Sequence, residues 1–442
     1  MLKTVKFGGS SLADAEHFRK AAAIIRAEEA RRYVVVSAPG KRSTQDIKVT
    51  DLLYRCCEAM RQGYDYHESF RQIRTRYEDI LRDLQLDISL DAEFDKIEAD
   101  LLRDANADYA ASRGEYLSAV VMAAYLGVPM IDAADYIRFL ENGMLDSETT
   151  QALLSARLKD TPCAVVPGFY GSMPDGRVRT FSRGGSDITG SIVARASASD
   201  LYENWTDVSG LMSCDPRVVE NPAIIESISY AELRELAYMG ASVMHESAIF
   251  PVKAAGIPIN IRNTNSPADP GTMILPNSQS HGSRTITGIA GRKDFSSIMI
   301  YKDQMNECVG FSLHVLEILA RHGIQMEHMP TGIDIMSVIV PAAKLAPCRD
   351  EVLKELQEAT QADSITVNDH MALLTVVGHG MKNRLGAAGR VFTTLGRSGV
   401  NVEMIDQGSG ELNLIIGIAA DDLDKAIRTL YYEFFGPDDM CF

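Results

Sequence analysis

The sequence predicts an open α/β domain followed by two small βαββαβ units of the ferredoxin-like kind. Three observations carry that prediction. Short apolar runs alternate with helical stretches through the N-terminal part, a loop-rich stretch then interrupts the chain, and the remainder repeats itself at a fixed interval.

The apolar runs Thr4 to Phe7, Tyr33 to Val36, Cys163 to Val166, Leu201 to Trp205 and Ile257 to Ile261 read as strands. From Asp51 to Glu115 the chain is charged and helix-periodic, with Phe70, Ile73, Tyr77, Ile80, Leu81 and Leu84 on one stripe and Gly63 as the one interruption. The charges from Arg71 to Arg76 read as its solvated face. Between Asn263 and Arg284, three prolines, two glycines and a Ser/Asn/Gln-rich run mark a linker, and the boundary is drawn near Ser283. Beyond it, moving Val315–Glu327 forward by 76 residues matches Val315 with Val391, Leu319 with Leu395, Arg321 with Arg397, Gly323 with Gly399 and Glu327 with Glu403. Each copy reads as an amphipathic helix closed by a glycine suited to a left-handed cap, then a strand, Ile324 to Met329 or Val400 to Ile405.

A chain of 442 residues exceeds one ordinary core, so two or three domains are expected. With 46% hydrophobic and 24% charged residues, intermixed, it can bury those cores without extensive disorder. No run reaches the roughly 18 to 20 apolar residues of a membrane span, and no signal-peptide core precedes the first strand, so a cytoplasmic protein is expected. A net charge of −16 disfavours nucleic acid and anionic membranes as partners. Seven cysteines without a CxxC pair imply neither a disulfide framework nor structural zinc. His245 and His314 read as structural side chains, no His/Cys/Asp/Glu cluster has zinc spacing, and no protein-held metal is expected. Met326, Met329 and Met336 read as core filler, some of it near an effector pocket.

The sequence contains neither GxxxxGK[ST] nor GxGxxG, which counts against a P-loop NTPase, a Rossmann dehydrogenase and a protein kinase. Phosphate has another candidate holder in Lys6-Phe7-Gly8-Gly9-Ser10-Ser11-Leu12, a strand running through two glycines and two hydroxyls into a helix expected near Ala13. Paired glycines let the backbone approach phosphate oxygens, the helix start supplies N–H donors, and the lysine neutralises a phosphoryl group in transfer. By itself the segment also reads as an ordinary strand-to-helix turn with a surface lysine. Arg183-Gly184-Gly185-Ser186-Asp187, ahead of the apolar stretch Ile188 to Ala196, repeats its logic. Tyr202 to Trp205 delivers Thr206 and Asp207 to a strand's carboxyl end, where open α/β sheets bind ligands. Asp215-Pro216-Arg217 adds a turn-fixed arginine.

In this ordered set the chain resembles the aspartate kinases of the amino-acid kinase superfamily, through KFGGSSL (Lys6 to Leu12), SRGEYLSA (Ser112 to Ala119), FSRGGSD (Phe181 to Asp187) and TDVSGLMSCDPRVV (Thr206 to Val219). GAAGRVF (Gly386 to Phe392) and NVEMIDQGSGELNL (Asn401 to Leu414) resemble the ACT regulatory domains of the same enzymes. The resemblance implies an amino-acid kinase fold, an open, mainly parallel sheet between helices, over residues 1–283. It further implies a first ACT unit, 303–370, inserted into a second built from 285–302 and 371–442. The implied activity is ATP- and Mg²⁺-dependent phosphorylation of the side-chain carboxylate of L-aspartate to 4-phospho-L-aspartate, the first step towards lysine, threonine and methionine. Lysine or threonine would inhibit through the ACT units, which would also pair subunits into at least a homodimer. The end at Phe442 implies a kinase without the dehydrogenase domain fused to bifunctional relatives.

Residue by residue, the resemblance implies that Lys6 stabilises the transferring phosphoryl group and Asp187 positions Lys6. Gly8, Gly9, Ser10, Gly184 and Gly185 would surround the phosphates. Arg183 would pair with a carboxylate of aspartate, Glu115 with its ammonium, and Ser37, Thr50 and Ser186 would complete the pocket. Thr206, Asp207 and Arg217 would meet the nucleotide. Met329, Thr331, Gly332 and Asp334 would meet the effector, with the turn at Gln407 to Gly410 as partner. A carboxylate acceptor is already ionised at neutral pH, so no general base is required. Three features depart from the family pattern: Met212 replaces a common aromatic residue, Ser242 a frequent lysine, and the stretch from Pro39 to Asp46 exceeds the usual short loop, as a mobile lid or a solvated insertion. Two other functions fit the same scaffold less well: a kinase of glutamate or N-acetylglutamate, opposed by the paired ACT units and SRGE, and a catalytically dead sensor, opposed by the presence of Lys6, Asp187 and Glu115.

Overall fold

The computed structural model describes residues 1–442 except 183, 241–243, 245, 277–283, 383, 409 and 437–442. The chain forms two compact units: Met1–Leu211 with Glu226–Tyr230 and Val243–Ser280, and Met212–Ile225 with Ala231–Ser242 and His281–Phe442. Two short stretches that precede the linker in sequence thus fold with the C-terminal unit.

The first unit runs β1 (Lys3–Phe7), α1 (Ala15–Arg26), β2 (Arg31–Val36), α2 (Val49–Gln62), α3 (His67–Leu84), α4 (Asp91–Arg103), α5 (Ala107–Leu126), α6 (Ala133–Tyr136), α7 (Ser147–Lys159), β3 (Ala164–Pro167), β4 (Tyr170–Ser172), β5 (Val178–Thr180), α8 (Gly185–Ala196), β6 (Leu201–Thr206), β7 (Ser227–Ser229), α9 (Tyr230–Tyr238, most of it in the second unit), α10 (Ile249–Ala255), β8 (Ile259–Asn263) and β9 (Thr272–Leu275). Among the described residues, seven strands form one sheet in the order β3-β2-β1-β6-β8-β9-β7, parallel throughout except for β8 against β9. Every residue of β1 is buried, as expected of a central parallel strand covered on both faces. Phe7, Phe18, Val34, Leu53, Tyr77, Phe94 and Leu117 join sheet and helices α1 to α5 in one core. Among the described residues no helix is long and apolar enough to cross a membrane.

Three local expectations shift. The strand expected from Ile257 begins at Ile259, because Pro258 lacks an N–H and offers only its carbonyl, to Tyr202 N at 3.0 Å. The stretch from Asp51 to Glu115 breaks at Gln85, in a left-handed conformation (φ 57°), and at Asp104, as well as at Gly63. Neither extra break carries a glycine to announce it. Arg76, assigned to a solvated face, is buried among the apolar side chains of α3.

Burial of Arg76 has a purpose. Its guanidinium donates to Gly40 O (3.1 Å), Ala13 O (3.4 Å) and Asp46 Oδ2 (2.6 Å), and Asp46 also accepts from Arg42 Nε (3.0 Å) and Arg42 N (2.9 Å). The long stretch from Pro39 to Asp46 is therefore anchored to α3. Burial pushes the Asp46 carboxyl up, but hydrogen bonds from Arg42 and the charge of Arg76 outweigh it and hold the group below the usual carboxylate range.

The second unit contains β10 (Gly288–Tyr301), α11 (Phe311–Arg321), β11 (Ile335–Pro341), α12 (Ala342–Leu345), α13 (Arg349–Thr360), β12 (Ser364–Val377), α14 (Ala387–Arg397), β13 (Met404–Asp406), β14 (Asn413–Ala419) and α15 (Leu423–Phe435). The repeat is visible in α11 and α14, which are offset by 76 residues at both ends (311 to 387, 321 to 397), each followed by a left-handed glycine, Gly323 (φ 65°) or Gly399 (φ 68°). The strands form a single sheet, β11-β10-β12-β14-β13, in which the 14-residue strands β10 and β12 run antiparallel along their whole length. Ile298 and Ile300 of β10 pack with Val315, Leu319, Val338 and Leu356; Ile289 of the same strand packs with Leu374, Val391, Ile416 and Ile427. The inserted unit thus draws a strand from residues that a boundary at 303 leaves to the other unit. The strand expected from Ile324 to Met329 shrinks to isolated bridges, His328 to Ile339 and Thr331 to Met336, since Pro330 cannot donate to a ladder. The strand expected over Val400 to Ile405 is confined to β13.

Because Asp46 joins its loop to α3, Asp46→Asn should speed amide hydrogen exchange across residues 40–47 by at least about tenfold, leaving α5 unchanged; equal rates in both proteins would show that the loop is held by other contacts.

Candidate active site

The parallel register brings strand ends together at one edge of the sheet. The ladder continues past the strands, with Gly8 N donating to Trp205 O (3.1 Å), Ser37 N to Phe7 O (3.2 Å) and Thr264 N to Thr206 O (2.8 Å). Gly8, Ser37 and Thr206 therefore emerge side by side, where an open α/β sheet offers its ligand crevice.

Lys6 lies in register with Asn204 on the neighbouring strand. Its ammonium meets Asp187 Oδ1 at 2.6 Å and Asn204 Oδ1 at 3.3 Å, while Asn204 Nδ2 donates to Asp187 Oδ1 at 2.9 Å. Lys6 and Asp187 are almost removed from water, which strengthens their attraction relative to an exposed pair. Asp187 sits in the first turn of α8, after Gly184 in a left-handed conformation, where the helix dipole favours a carboxylate. Gly184 and Gly185 open the same helix, and Ser186 packs its Oγ against Gly168.

The glycine turn differs from expectation at its end. Gly9–Leu12 form one 3-10 turn, and α1 begins only at Ala15, its first turn capped by Asp14, whose carboxylate accepts from His17 N at 3.0 Å. That helix start is already occupied, so backbone donors for an anion come from the turn itself. Ser10 is exposed, while Ser11 is buried against Thr264, 2.7 Å between hydroxyl oxygens, and is structural. Gly9 lies back to back with Gly40: a Cβ on Gly40 would fall 2.7 Å from Gly9 C, and Gly40 N donates to Gly9 O at 2.8 Å.

Glu115 approaches from α5. A Cβ on Gly114 would sit 2.7 Å from Ala38 Cβ, so the glycine of SRGE lets the helix close on the strand end. Burial pushes the Glu115 carboxyl up to about 8, against the opposing pull of the Ala38 backbone N–H, and among the described residues its Oε2 is buried without a hydrogen-bond partner. Thr50 lies half-buried in the first turn of α2, next to Val49, whose N–H meets Pro39 O at 3.3 Å.

The other expected residues have the following surroundings. Asp207 is exposed and accepts from Thr206 Oγ1 at 3.2 Å. Arg217 belongs to the second unit, is largely exposed, and binds Asp215 through Nη2 at 2.6 Å. Arg183 and Ser242 lie outside the described residues, and so does His245. In the second unit, Asp334 Oδ1 accepts from Gln304 N (3.0 Å), Thr331 Oγ1 donates to Met329 O (3.1 Å), and Gly332 N donates to Ile335 O (2.7 Å), forming a tight hairpin before β11. His328 Nδ1 meets Asp406 Oδ2 at 2.6 Å, which brings this hairpin's strand next to the residue preceding Gln407. Folding also gathers His322, Glu351 and Glu355, a group invisible to sequence spacing, with Glu355 already paired to Arg321 and His322.

Asn204 was not legible as a site residue, although a signal existed. Glu203 and Asn204 are polar residues inside the otherwise apolar strand LYENWT. Glu203 takes up Lys3 (3.0 Å), Arg31 (2.8 Å) and Trp205 Nε1 (2.9 Å), whereas Asn204 faces Lys6.

A sequence profile of the amino acid kinase family matches residues 1–263, and one of the ACT domain matches residues 374–434. Aspartokinase 3 of Bacillus subtilis is 39% identical over 98% of this chain and 99% of its own length. The chain belongs to the aspartokinases of the amino acid kinase family. The crystal structure of Clostridium acetobutylicum aspartate kinase, 46% identical, superposes with a TM-score of 0.94 over 98% of this chain and 100% of that one. Escherichia coli aspartokinase III, solved with lysine and aspartate in a T-state, is 25% identical with a TM-score of 0.73 over 98% of this chain and 99% of that one. The α/β kinase unit and the ACT region are thus those of this enzyme family.

Proposed function

We propose that the chain transfers the γ-phosphoryl group of ATP to the side-chain carboxylate of L-aspartate, giving 4-phospho-L-aspartate, under feedback control by lysine or threonine. The observation that carries this is the buried cation Lys6, fixed by Asp187 and Asn204 beside the Gly8–Gly9 turn. Family membership supports the substrate, and the bound aspartate and lysine of the Escherichia coli relative support both substrate and effector.

In-line attack by a carboxylate on a phosphoryl group is limited by positioning and by charge repulsion. Lys6 and the N–H groups of the Gly8–Gly9 turn oppose that repulsion, with Gly184 and Gly185 at the start of α8 as a second donor set. Mg²⁺ carried on the phosphates of ATP would supply further neutralisation there, and Asp187, in the first turn of α8, and Asp207, just past β6, would be the carboxylates suited to it. Ser10 adds a hydroxyl for the phosphates, Ser37, Thr50 and Ser186 shape the substrate pocket, Arg183 takes a substrate carboxylate, and Thr206, Asp207 and Arg217 serve the nucleotide. Glu115 takes the ammonium of aspartate, which would give its unpartnered buried oxygen a partner.

Met329, Thr331, Gly332 and Asp334 form the effector contact in this proposal, and the ACT sheet pairs subunits into at least a dimer. Met299, Tyr301 and Ile335, exposed on β10 and β11, supply apolar surface for that pairing. Inhibition requires the effector to bind the less active arrangement more tightly.

A hydroxamate trap with ATP and Mg²⁺, offered aspartate, glutamate or N-acetylglutamate, tests the reaction. Acyl-phosphate should form from aspartate, and Lys6→Met should lower kcat by about 10²- to 10³-fold; acyl-phosphate from glutamate instead would sink the substrate assignment. If Glu115 binds the ammonium, its ionised form is required, so KM for aspartate should fall as pH rises from 6 to 8, by at most about tenfold per unit. Glu115→Gln should raise KM and flatten that slope; a slope that survives the substitution belongs to another group. Asp334→Ala should weaken inhibition by lysine or threonine by about tenfold or more, and unchanged inhibition would remove Asp334 from the effector site.

A further inference from the structure

Asn204 is 2% exposed, lies at the level of Lys6 on the adjacent parallel strand, and spends both ends of its amide on the catalytic pair. Chemistry fixes its orientation. An ammonium only donates and a carboxylate only accepts, so Oδ1 must face Lys6 and Nδ2 must face Asp187. Reversing the amide would set donor against donor and acceptor against acceptor.

The Lys6 ammonium has three N–H bonds. Asp187 Oδ1 lies 2.6 Å from it as the ion-pair partner, and Asn204 Oδ1 accepts one N–H at 3.3 Å. Among the described residues Nζ makes no other hydrogen bond, and the nearby backbone is Gly8, on which a Cβ would lie 3.5 Å from Nζ. The ion pair and the hydrogen bond to Asn204 together hold Nζ beside the glycine turn, with donor capacity left for a ligand there.

We propose that Asn204 is a positioning residue for phosphoryl transfer, holding Lys6 and Asp187 so that one ammonium N–H remains directed at the transferring group, an inference that rests on the role proposed for Lys6 above. An apolar residue of similar volume would fill the strand interior equally well. It would leave Asp187 Oδ1 short of one donor and Lys6 short of one acceptor. Asn204 would then act on orientation rather than on substrate binding, which predicts a loss in kcat rather than a rise in KM.

The test compares Asn204→Leu, Lys6→Met and the double variant in full-length protein, with kcat, KM for ATP and aspartate, and thermal unfolding measured for each. Asn204→Leu should lower kcat by about 10- to 100-fold, with both KM values within about threefold of the original. On the Lys6→Met background it should add nothing, because the group it orients is gone. An additive loss in the double variant, or raised KM values with kcat intact, would overturn the proposal and leave Asn204 a satisfied core side chain. Wild-type kcat in Lys6→Met would overturn the role of Lys6 itself, and this inference with it. Should Asn204→Leu fail to fold, the smaller Asn204→Ser carries the same comparison, and retention of full kcat by it would likewise count against the proposal.

Discussion

Lys6 and Asp187 form an ion pair that water scarcely reaches, and such a pair is costly to assemble unless further hydrogen bonds offset its lost hydration. Much of the first unit meets that condition. The parallel register of β1 and β6 sets Asn204 beside Lys6, the left-handed Gly184 starts α8 so that Asp187 falls in its first turn, and Tyr202 OH donates to the Asp187 carbonyl at 3.2 Å. In the role proposed for Lys6, the charge that a phosphoryl group needs is thus present before the substrate arrives.

Close backbone approach is the second constraint. Gly9, Gly40 and Gly114 meet around Ala38 at distances that exclude side chains, and this draws the glycine turn, the end of β2 and α5 together. Arg76 braces the cluster from α3 by binding carbonyls on both sides of it, Ala13 and Gly40. Glu115, carried in by α5, then lies buried with an oxygen unpartnered, an arrangement disfavoured in an empty core and suited to an incoming cation.

In the second unit, strands β10 and β12 each pass through both hydrophobic cores. The two ACT units therefore share one continuous hydrogen-bonded ladder. The row of Glu232, Glu235 and Tyr238 on α9 ties this sheet to a helix encoded ahead of the linker: Glu232 accepts from Thr287 Oγ1 (2.6 Å) and His379 N (2.8 Å), Glu235 accepts from Asn413 Nδ2 (2.6 Å), and Tyr238 OH donates to Glu327.

Periodicity and glycine placement determined the central strands, the helical region, the repeat and its left-handed caps, because each follows from local backbone geometry and from which face is apolar. The ordered motifs singled out Lys6, the glycine turn, Glu115 and Asp187 as candidates. Tertiary structure alone decided what depends on partners distant in sequence. Arg76 looks solvated until Asp46 and two carbonyls surround it, and Ser11 looks like a phosphate ligand until Thr264 occupies its hydroxyl. Asn204 is an unremarked polar residue in a strand until the register sets it against Lys6. The division of β10 between two cores was equally hidden, since one continuous strand carries no local mark of where its packing partners change.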